Sequence, residues 1–375
     1  MKCKHKSYIR RPEHYGKDIS ACGVFGLINH DMNRVDGSLA TRAIANMHDR
    51  GNGLGGGFAA YGIYPDHKDL YALHVMYDAK SDTADCESYL NQTLEVHRAE
   101  ELPLFETPKI GDHPYFMRYF VSPRQNPSRQ LPDDDYMVST IMHINTECEH
   151  AYVISSGKDM GVFKGVGFPE DLAEFFRLDE YAGYIWLAHN RFPTNTPGWW
   201  GGAHPFGLLD WSIVHNGEIS SYGTNRRYLE MYDYRCTLQT DTEVVAYLMD
   251  LLVRRHKLSF AQAAAVFAPP FWKDIDQMHD EDREFQTRLR MTYGSAALNG
   301  PFAFLLAYSE GLIGLNDRVK LRPLLVAVKD QTTYMSSEES SIRQVCPQLD
   351  HIMVPRAGSP VIAKLNEQPM GVGVE

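Results

Sequence analysis

Four separated stretches of this 375-residue sequence carry residue types that could do chemistry together. They are Cys22-Gly23, "HNRFPTNTPGWWGGAHPF" from His189 to Phe206, "VHNGEI" from Val214 to Ile219, and "QTDTEVVAYLMDLL" from Gln239 to Leu252. A cysteine, an arginine, an Asn-Gly pair and an aspartate are what hydrolysis of glutamine, a zwitterionic amide, requires. A guanidinium matches a carboxylate through two parallel hydrogen bonds. A fixed carboxylate holds an ammonium. The amide carbon needs a nucleophile, and its tetrahedral oxygen needs donors such as an Asn side chain and a backbone N–H. A glycine lets that N–H approach without a Cβ in the way.

Each stretch alone has a plainer reading. Free cysteine is among the most buried residue types, so Cys22 also fits a packing residue. Asp241 lies in Thr240-x-x-Glu243, a helix-capping pattern. "HNG" is an ordinary turn sequence, and Arg191 fits a surface cation. His189, His204 and His215 lack metal-ligand spacing and read as satisfied buried histidines. The combined set also lacks a base, because no His or Asp stands beside Cys22 in sequence. Removal of residues 1–21 supplies one. The freed α-amine of Cys22, with an ordinary pKa of about 7.7–8.0, can take the thiol proton near neutrality. A terminal amine acting as base for its own side chain is an established arrangement. Residues 1–21 are therefore expected to be a propeptide.

The elements that must position these residues follow from periodicity. Residues 23–29 read as a strand. Asp36 or Ser38 caps a helix running to about Met47, with Leu39, Ala43, Ile44 and Met47 on one face. "RGNGLGGG" ends that helix. Its GxGxxG (Gly51, Gly53, Gly56) is not a dinucleotide fingerprint, since a helix precedes it and a strand-like "GFAAYGIY" follows. From about 66 to 181 the text is less regular, with a helix over 83–99, an exposed turn-rich loop over 122–135, and strands over 136–144 and 150–156. Strands return over 184–189 and 211–215. An amphipathic helix covers 241–256, with Val244, Leu248, Leu251 and Leu252 on one face. Short strands fill the C-terminal third: 302–308, 312–315, 324–328, 333–336 and 361–364. The pattern predicts an α+β fold with antiparallel sheets.

Composition narrows the class. A net charge of −11, from 37 basic and 48 acidic residues, argues against nucleic acid. No apolar run reaches the length of a membrane span. The leader carries Lys2, Lys4, Lys6, Arg10, Arg11 and Lys17 without an apolar core, so it is not a secretory signal. Six scattered cysteines without a CxxC pair fit a reduced cytoplasm best and argue against structural zinc.

"CGVFGLIN", "MHDRG", "HNRF", "VHNGEI", "QTDTEVVAYL" and "LNDRVKLRPLLVAV" with "SSEE" occur in the order found in class II glutamine amidotransferases, which are N-terminal nucleophile hydrolases. The sequence resembles that family from about Cys22 to Glu339. "RFPTNTPGWW" is similar to a segment of glutamate synthase glutaminase domains, and the length to the separate glutaminase subunit of archaeal-type split glutamate synthase. The resemblance implies a four-layer αββα sandwich with two antiparallel sheets, formed by residues 22–375 with an α/β insertion at about 66–181. The strand after Cys22 would then begin at the centre of one sheet and open Cys22 to a cleft. It implies Cys22 as nucleophile, Asn216 and Gly217 as oxyanion hole, Arg191 on the α-carboxylate of glutamine and Asp241 on its ammonium. Arg50 and Gly51 match a loop near the nucleophile, and Arg322, Glu338 and Glu339 are expected to be structural. "HDRG" departs from the usual HRG, and Lys320 in "DRVKLRP" stands where the family has a turn glycine. No metal or cofactor is implied in this chain. Flavin and iron–sulfur would sit on partner subunits, with ammonia passing to an FMN-dependent synthase subunit. Two rival readings remain: a glutaminase feeding another acceptor, such as an N-methylglutamate synthase or other amidotransferase, and a catalytically silent scaffold or regulatory subunit.

Overall fold

The computed structural model describes residues 21–124, 131–193 and 198–369. The leader, residues 1–20, and the Thr194–Asn195–Thr196 segment lie outside the described residues. Among the described residues no helix is long and apolar enough to cross a membrane.

The strand Gly23–Asn29 lies in the middle of a seven-stranded antiparallel sheet. It pairs with Ile185–Asn190 on one side and Thr332–Ser336 on the other. Gly56–Tyr61 and Met160–Gly165 extend the sheet past the first neighbour; Leu325–Lys329 and His351–Met353 extend it past the second. A five-stranded antiparallel sheet runs Phe206–Leu208, Trp211–Gly217, Phe302–Tyr308, Gly311–Asn316, Val361–Lys364. The two sheets face each other. Val24, Ile28 and Leu187 from the first pack with Val214, Leu305 and Leu312 from the second, all fully buried. Phe25 and Leu27 point the other way, against Ala40, Ile44, Leu172 and Ile342 of the helices Gly37–Ala45, Pro169–Phe175 and Glu339–Val345. Burial on both faces explains why this strand reads as a continuous apolar run. Helices Asp241–Met249 and Phe260–Phe267 cover the outer face of the second sheet, against Ile213, Phe304 and Leu315. The result is a layered αββα sandwich, the fold class the sequence implied.

Gly26 shows how closely the layers meet. A Cβ there would stand 3.1 Å from both Leu187 and Leu305.

A separate four-stranded antiparallel sheet, Leu94–Glu101, Tyr115–Pro123, Tyr71–Tyr77 and Ala151–Ser155, lies within residues 71–155 with helices Thr83–Thr93 and Asp133–Glu147. Met160–Gly165 belongs instead to the large sheet.

Three expected elements differ. Residues 136–144 were expected to be a strand and lie inside the helix Asp133–Glu147. Their apolar and β-branched content suits either state, and the flanks decide. Pro132 is the N-cap, and three aspartates fill the first turn, where the helix dipole favours negative charge. The helix expected over 83–99 ends at Thr93, because Leu94–Glu101 pairs with Tyr115–Pro123. The helix expected over 241–256 is regular to Met249 and continues as a π-helical turn, Asp250–Arg255.

Candidate active site

Cys22 stands at the head of the central strand, and the strand's first turn of pairing is heavily tied. Val24 N donates to Ser337 Oγ at 3.0 Å. Val24 O accepts from Ser336 Oγ at 2.9 Å and from Ser337 N at 3.1 Å. Half-buried Cys22 Sγ accepts from Phe192 N at 3.4 Å, and Phe192 O lies 3.9 Å away. Burial pushes the Cys22 thiol up, and the charge of Asp241 adds to this. The Phe192 N–H, Arg191 and Arg322 pull the other way. The thiol is therefore not ionised on its own at neutrality, and a proton acceptor is needed.

Arg50 closes the near side. Its Nε donates to Cys22 O at 3.1 Å, and its Nη1 pairs with Glu338. Gly51 is required beside it, since a Cβ would fall 1.9 Å from Asn190 Oδ1. Asn190 in turn holds the loop through Met47 O and His48 O, at 2.8 and 3.0 Å.

Arg191 follows the strand Ile185–Asn190 and is almost fully buried. Its backbone N donates to Gly55 O at 3.0 Å. Burial lowers its pKa, opposed by the charges of Cys22 and Asp241.

Asn216 and Gly217 end the strand Trp211–Gly217. Both polar atoms of the Asn216 side chain are buried and make no hydrogen bond among the described residues. Such a group is costly to leave unmade, so its retention points to use. Gly217 sits at φ 147°, where a Cβ would come within 2.0 Å of Pro301 O. Only glycine fits.

Asp241 opens the helix Asp241–Met249, but it is not the cap. Thr240 is, its Oγ1 accepting from Glu243 N at 3.2 Å. The reciprocal half of the capping box is missing. Glu243 instead accepts from Thr237 N and Leu238 N, both at 3.0 Å. Asp241 therefore keeps its carboxylate for the cavity side. Its Oδ2 accepts from Ile219 N at 2.8 Å, and its Oδ1 from Thr242 Oγ1 at 3.2 Å.

Cys22, Arg191, Gly217 and Asp241 line one cavity of about 290 Å³, close to the lower end of ligand-pocket sizes. Asn216, which precedes Gly217 on the same strand, is buried and does not line it. Four of the five residues singled out from sequence thus share one surface. A larger hollow of about 660 Å³ between Gly37–Ala45 and Pro169–Phe175 is lined by Arg42, Phe105 and Glu170 and carries no cysteine.

His189, His204 and His215 read in the sequence as satisfied buried side chains, and two of them, His204 and His215, line the cavity. His189 Nε2 lies 3.0 Å from His215 O and 2.8 Å from His204 Nδ1. Burial pushes His189 down to about 3, and His204 well below the ordinary range with help from His189 and Arg191. All three are neutral at physiological pH. Tyr222 and Gln239 also line the cavity. Gln239 lay within a quoted motif, whereas Tyr222 had no sequence signal. Lys164, from the edge strand Met160–Gly165, is buried behind the site. Its Nζ donates to Gly201 O at 2.9 Å and lies 4.1 Å from the centre of the Phe206 ring. Nothing in its sequence context marked it. Lys320, which replaces the turn glycine, takes φ 58°, the left-handed conformation such a glycine would supply.

A family model described as glutamine amidotransferases class-II matches residues 105–348. That span contains Arg191, Asn216, Gly217 and Asp241 and starts downstream of Cys22. A protein of Archaeoglobus fulgidus described as uncharacterized is 53% identical over 356 residues, covering 94% of each chain. A putative glutamine amidotransferase of Methanothermobacter thermautotrophicus is 24% identical over 330 residues, covering 86% of this chain and 93% of the other. Among solved structures, glutamine phosphoribosylpyrophosphate amidotransferase from B. subtilis aligns with a TM-score of 0.44 and 14% identity, over 92% of this chain and 49% of that one.

Proposed function

We propose that this chain, which belongs to the class II glutamine amidotransferases, hydrolyses L-glutamine at Cys22 and passes the ammonia to a separate synthase subunit. One observation carries the first half: Cys22, Arg191, Gly217 and Asp241, from four distant stretches, line the same cavity.

The chemistry follows from the groups present. Cleavage of the Ala21–Cys22 bond exposes the α-amine of Cys22. Among the described residues Sγ hydrogen-bonds only to the backbone of Phe192, so its own amine is the base within reach. The amine takes the thiol proton, and the thiolate adds to the amide carbon of glutamine. Arg191 holds the substrate carboxylate and Asp241 its ammonium. The oxyanion takes hydrogen bonds from Asn216 Nδ2, which has no partner among the described residues, and from the Gly217 N–H. Collapse breaks the C–N bond. The ammonium formed from the amine returns its proton to the leaving nitrogen, and ammonia departs. Water, deprotonated by the same amine, then cleaves the γ-glutamyl thioester to glutamate and restores the thiol.

The acceptor half rests on the resemblance of "RFPTNTPGWW" to glutamate synthase glutaminase domains. It assigns the ammonia to an FMN-dependent synthase subunit making glutamate from 2-oxoglutarate, in the cytoplasm, with flavin and iron–sulfur held by partners. The decisive test is intact-mass and peptide mapping after treatment with a diazoketone analogue of glutamine. Labelling of Cys22 in a chain that begins at Cys22 supports the mechanism. Labelling elsewhere, or a fully active chain that begins at Met1, overturns it. Affinity capture of the partner, followed by assay of its product with glutamine and 2-oxoglutarate, tests the acceptor.

A further inference from the structure

His215 reaches Asp241 only through a third residue. His215 Nδ1 lies 3.9 Å from Asp241 Oδ1, beyond hydrogen-bond distance. Thr242 Oγ1 stands between them, 3.1 Å from His215 Nδ1 and 3.2 Å from Asp241 Oδ1. A hydroxyl has one proton, and a carboxylate can only accept. The Thr242 proton therefore goes to Asp241, and Thr242 Oγ1 accepts from His215 Nδ1–H. This sets the tautomer, with the proton on Nδ1 and a lone pair on Nε2. Nε2 is buried and has no hydrogen-bond partner among the described residues. The imidazole itself is 2% exposed, and burial favours its neutral form.

The far oxygen of Asp241 is held by Ile219 N at 2.8 Å. Each carboxylate oxygen thus has one donor from the protein, so the plane of the group is fixed while it still faces the cavity it lines. Such a carboxylate presents its remaining lone pairs in one direction without reorganising.

We propose that His215, acting through Thr242, is a positioning residue that aims the Asp241 carboxylate at the α-ammonium of the substrate and so selects α-amino amides over their des-amino counterparts. This assignment rests on the glutamine reading above. A purely structural role, pinning the helix Asp241–Met249 to the strand Trp211–Gly217, would affect all substrates alike.

The test compares glutamine with glutaramate, the same amide without the α-amino group. His215→Leu and Thr242→Val each break the relay. Both are expected to lower kcat/KM for glutamine roughly tenfold more than for glutaramate, the scale of one hydrogen bond to a charged group. His215→Asn, whose Nδ2 replaces the imidazole Nδ1, and Thr242→Ser are expected to restore the discrimination. Equal losses on both amides, no loss on either, or failure of His215→Asn to differ from His215→Leu would overturn the relay while leaving glutamine hydrolysis standing. A wild-type chain, freed of residues 1–21, that turns over neither amide would overturn the glutamine reading itself. Circular dichroism and melting of each variant separate lost positioning from lost folding.

Discussion

The carbonyl oxygen of Cys22 is held by Nε of Arg50 at 3.1 Å, and the same guanidinium pairs with Glu338. The residue expected to be the nucleophile is thus anchored through its backbone to a loop on one side and to the end of a neighbouring strand on the other. Arg50→Lys keeps the charge but offers no planar fork, and so cannot serve both partners. Turnover should fall about tenfold, ~1.4 kcal/mol in the barrier, with little change in KM. Steady-state glutaminase kinetics check this; a lysine variant equal to wild type would show that charge alone suffices.

Cys22→Ala should abolish glutamine hydrolysis and cost about 1 kcal/mol of stability or less, because pairing of Gly23–Asn29 uses only the backbone. Cys86→Ala should do the reverse. Cys86 is fully buried among Leu90, Tyr77 and Met137, so its removal costs about 1–2 kcal/mol without touching turnover. Paired activity and urea-unfolding measurements separate the two.

Lys320→Gly should stabilise the chain by about 0.5 kcal/mol. Lys320 sits at φ 58°, where a side chain costs roughly 1 kcal/mol that glycine does not incur, less the extra freedom glycine has when unfolded. The thermal midpoint should rise; a fall would mean that the lysine side chain contributes more than its backbone strain removes.

Stability should depend on pH through Lys164 and Glu243. Burial pushes Lys164 down to about 7 and Glu243 up to about 7. Between pH 7 and about 10.4 the unfolded lysine keeps a proton that the folded one has released, so stability rises with pH, by up to about 1.4 kcal/mol per unit. Between about 4.3 and 7 the folded glutamate holds a proton that the unfolded one has lost, so stability falls as pH rises. The pair therefore gives a minimum near neutrality. Lys164→Met should flatten the alkaline limb, which urea unfolding across pH 7 to 10 would show. An unchanged limb would mean that Lys164 stays charged in the folded protein.

What could be read from the sequence was set by how local the physics is. Cys22, Arg191, Gly217 and Asp241 were legible because each belongs to a short stretch whose residue types have few joint uses. The Thr240 cap was legible as a pattern, yet the pattern alone could not say that Thr240 would do the capping and leave Asp241 to the cavity. The His215–Thr242 relay was invisible, because its two members are adjacent only once a strand end meets a helix start. The helix Asp133–Glu147 differs from the strand that the sequence predicts because Tyr136–Ile144 is apolar enough for either, and the three aspartates before it suit a loop as well as a first helical turn. The sheet built from Tyr71–Tyr77 and Tyr115–Pro123 escaped notice because both strands are buried on both faces and lack alternation.

The clasp that Ser336 and Ser337 place on Val24 bears on maturation. Ordinary chain ends fray because nothing holds them. A chain cut ahead of Cys22 would acquire an end already locked between two neighbouring strands. Its new nitrogen would be born in register, so severing the peptide changes the chemistry of that atom and leaves the architecture around it undisturbed.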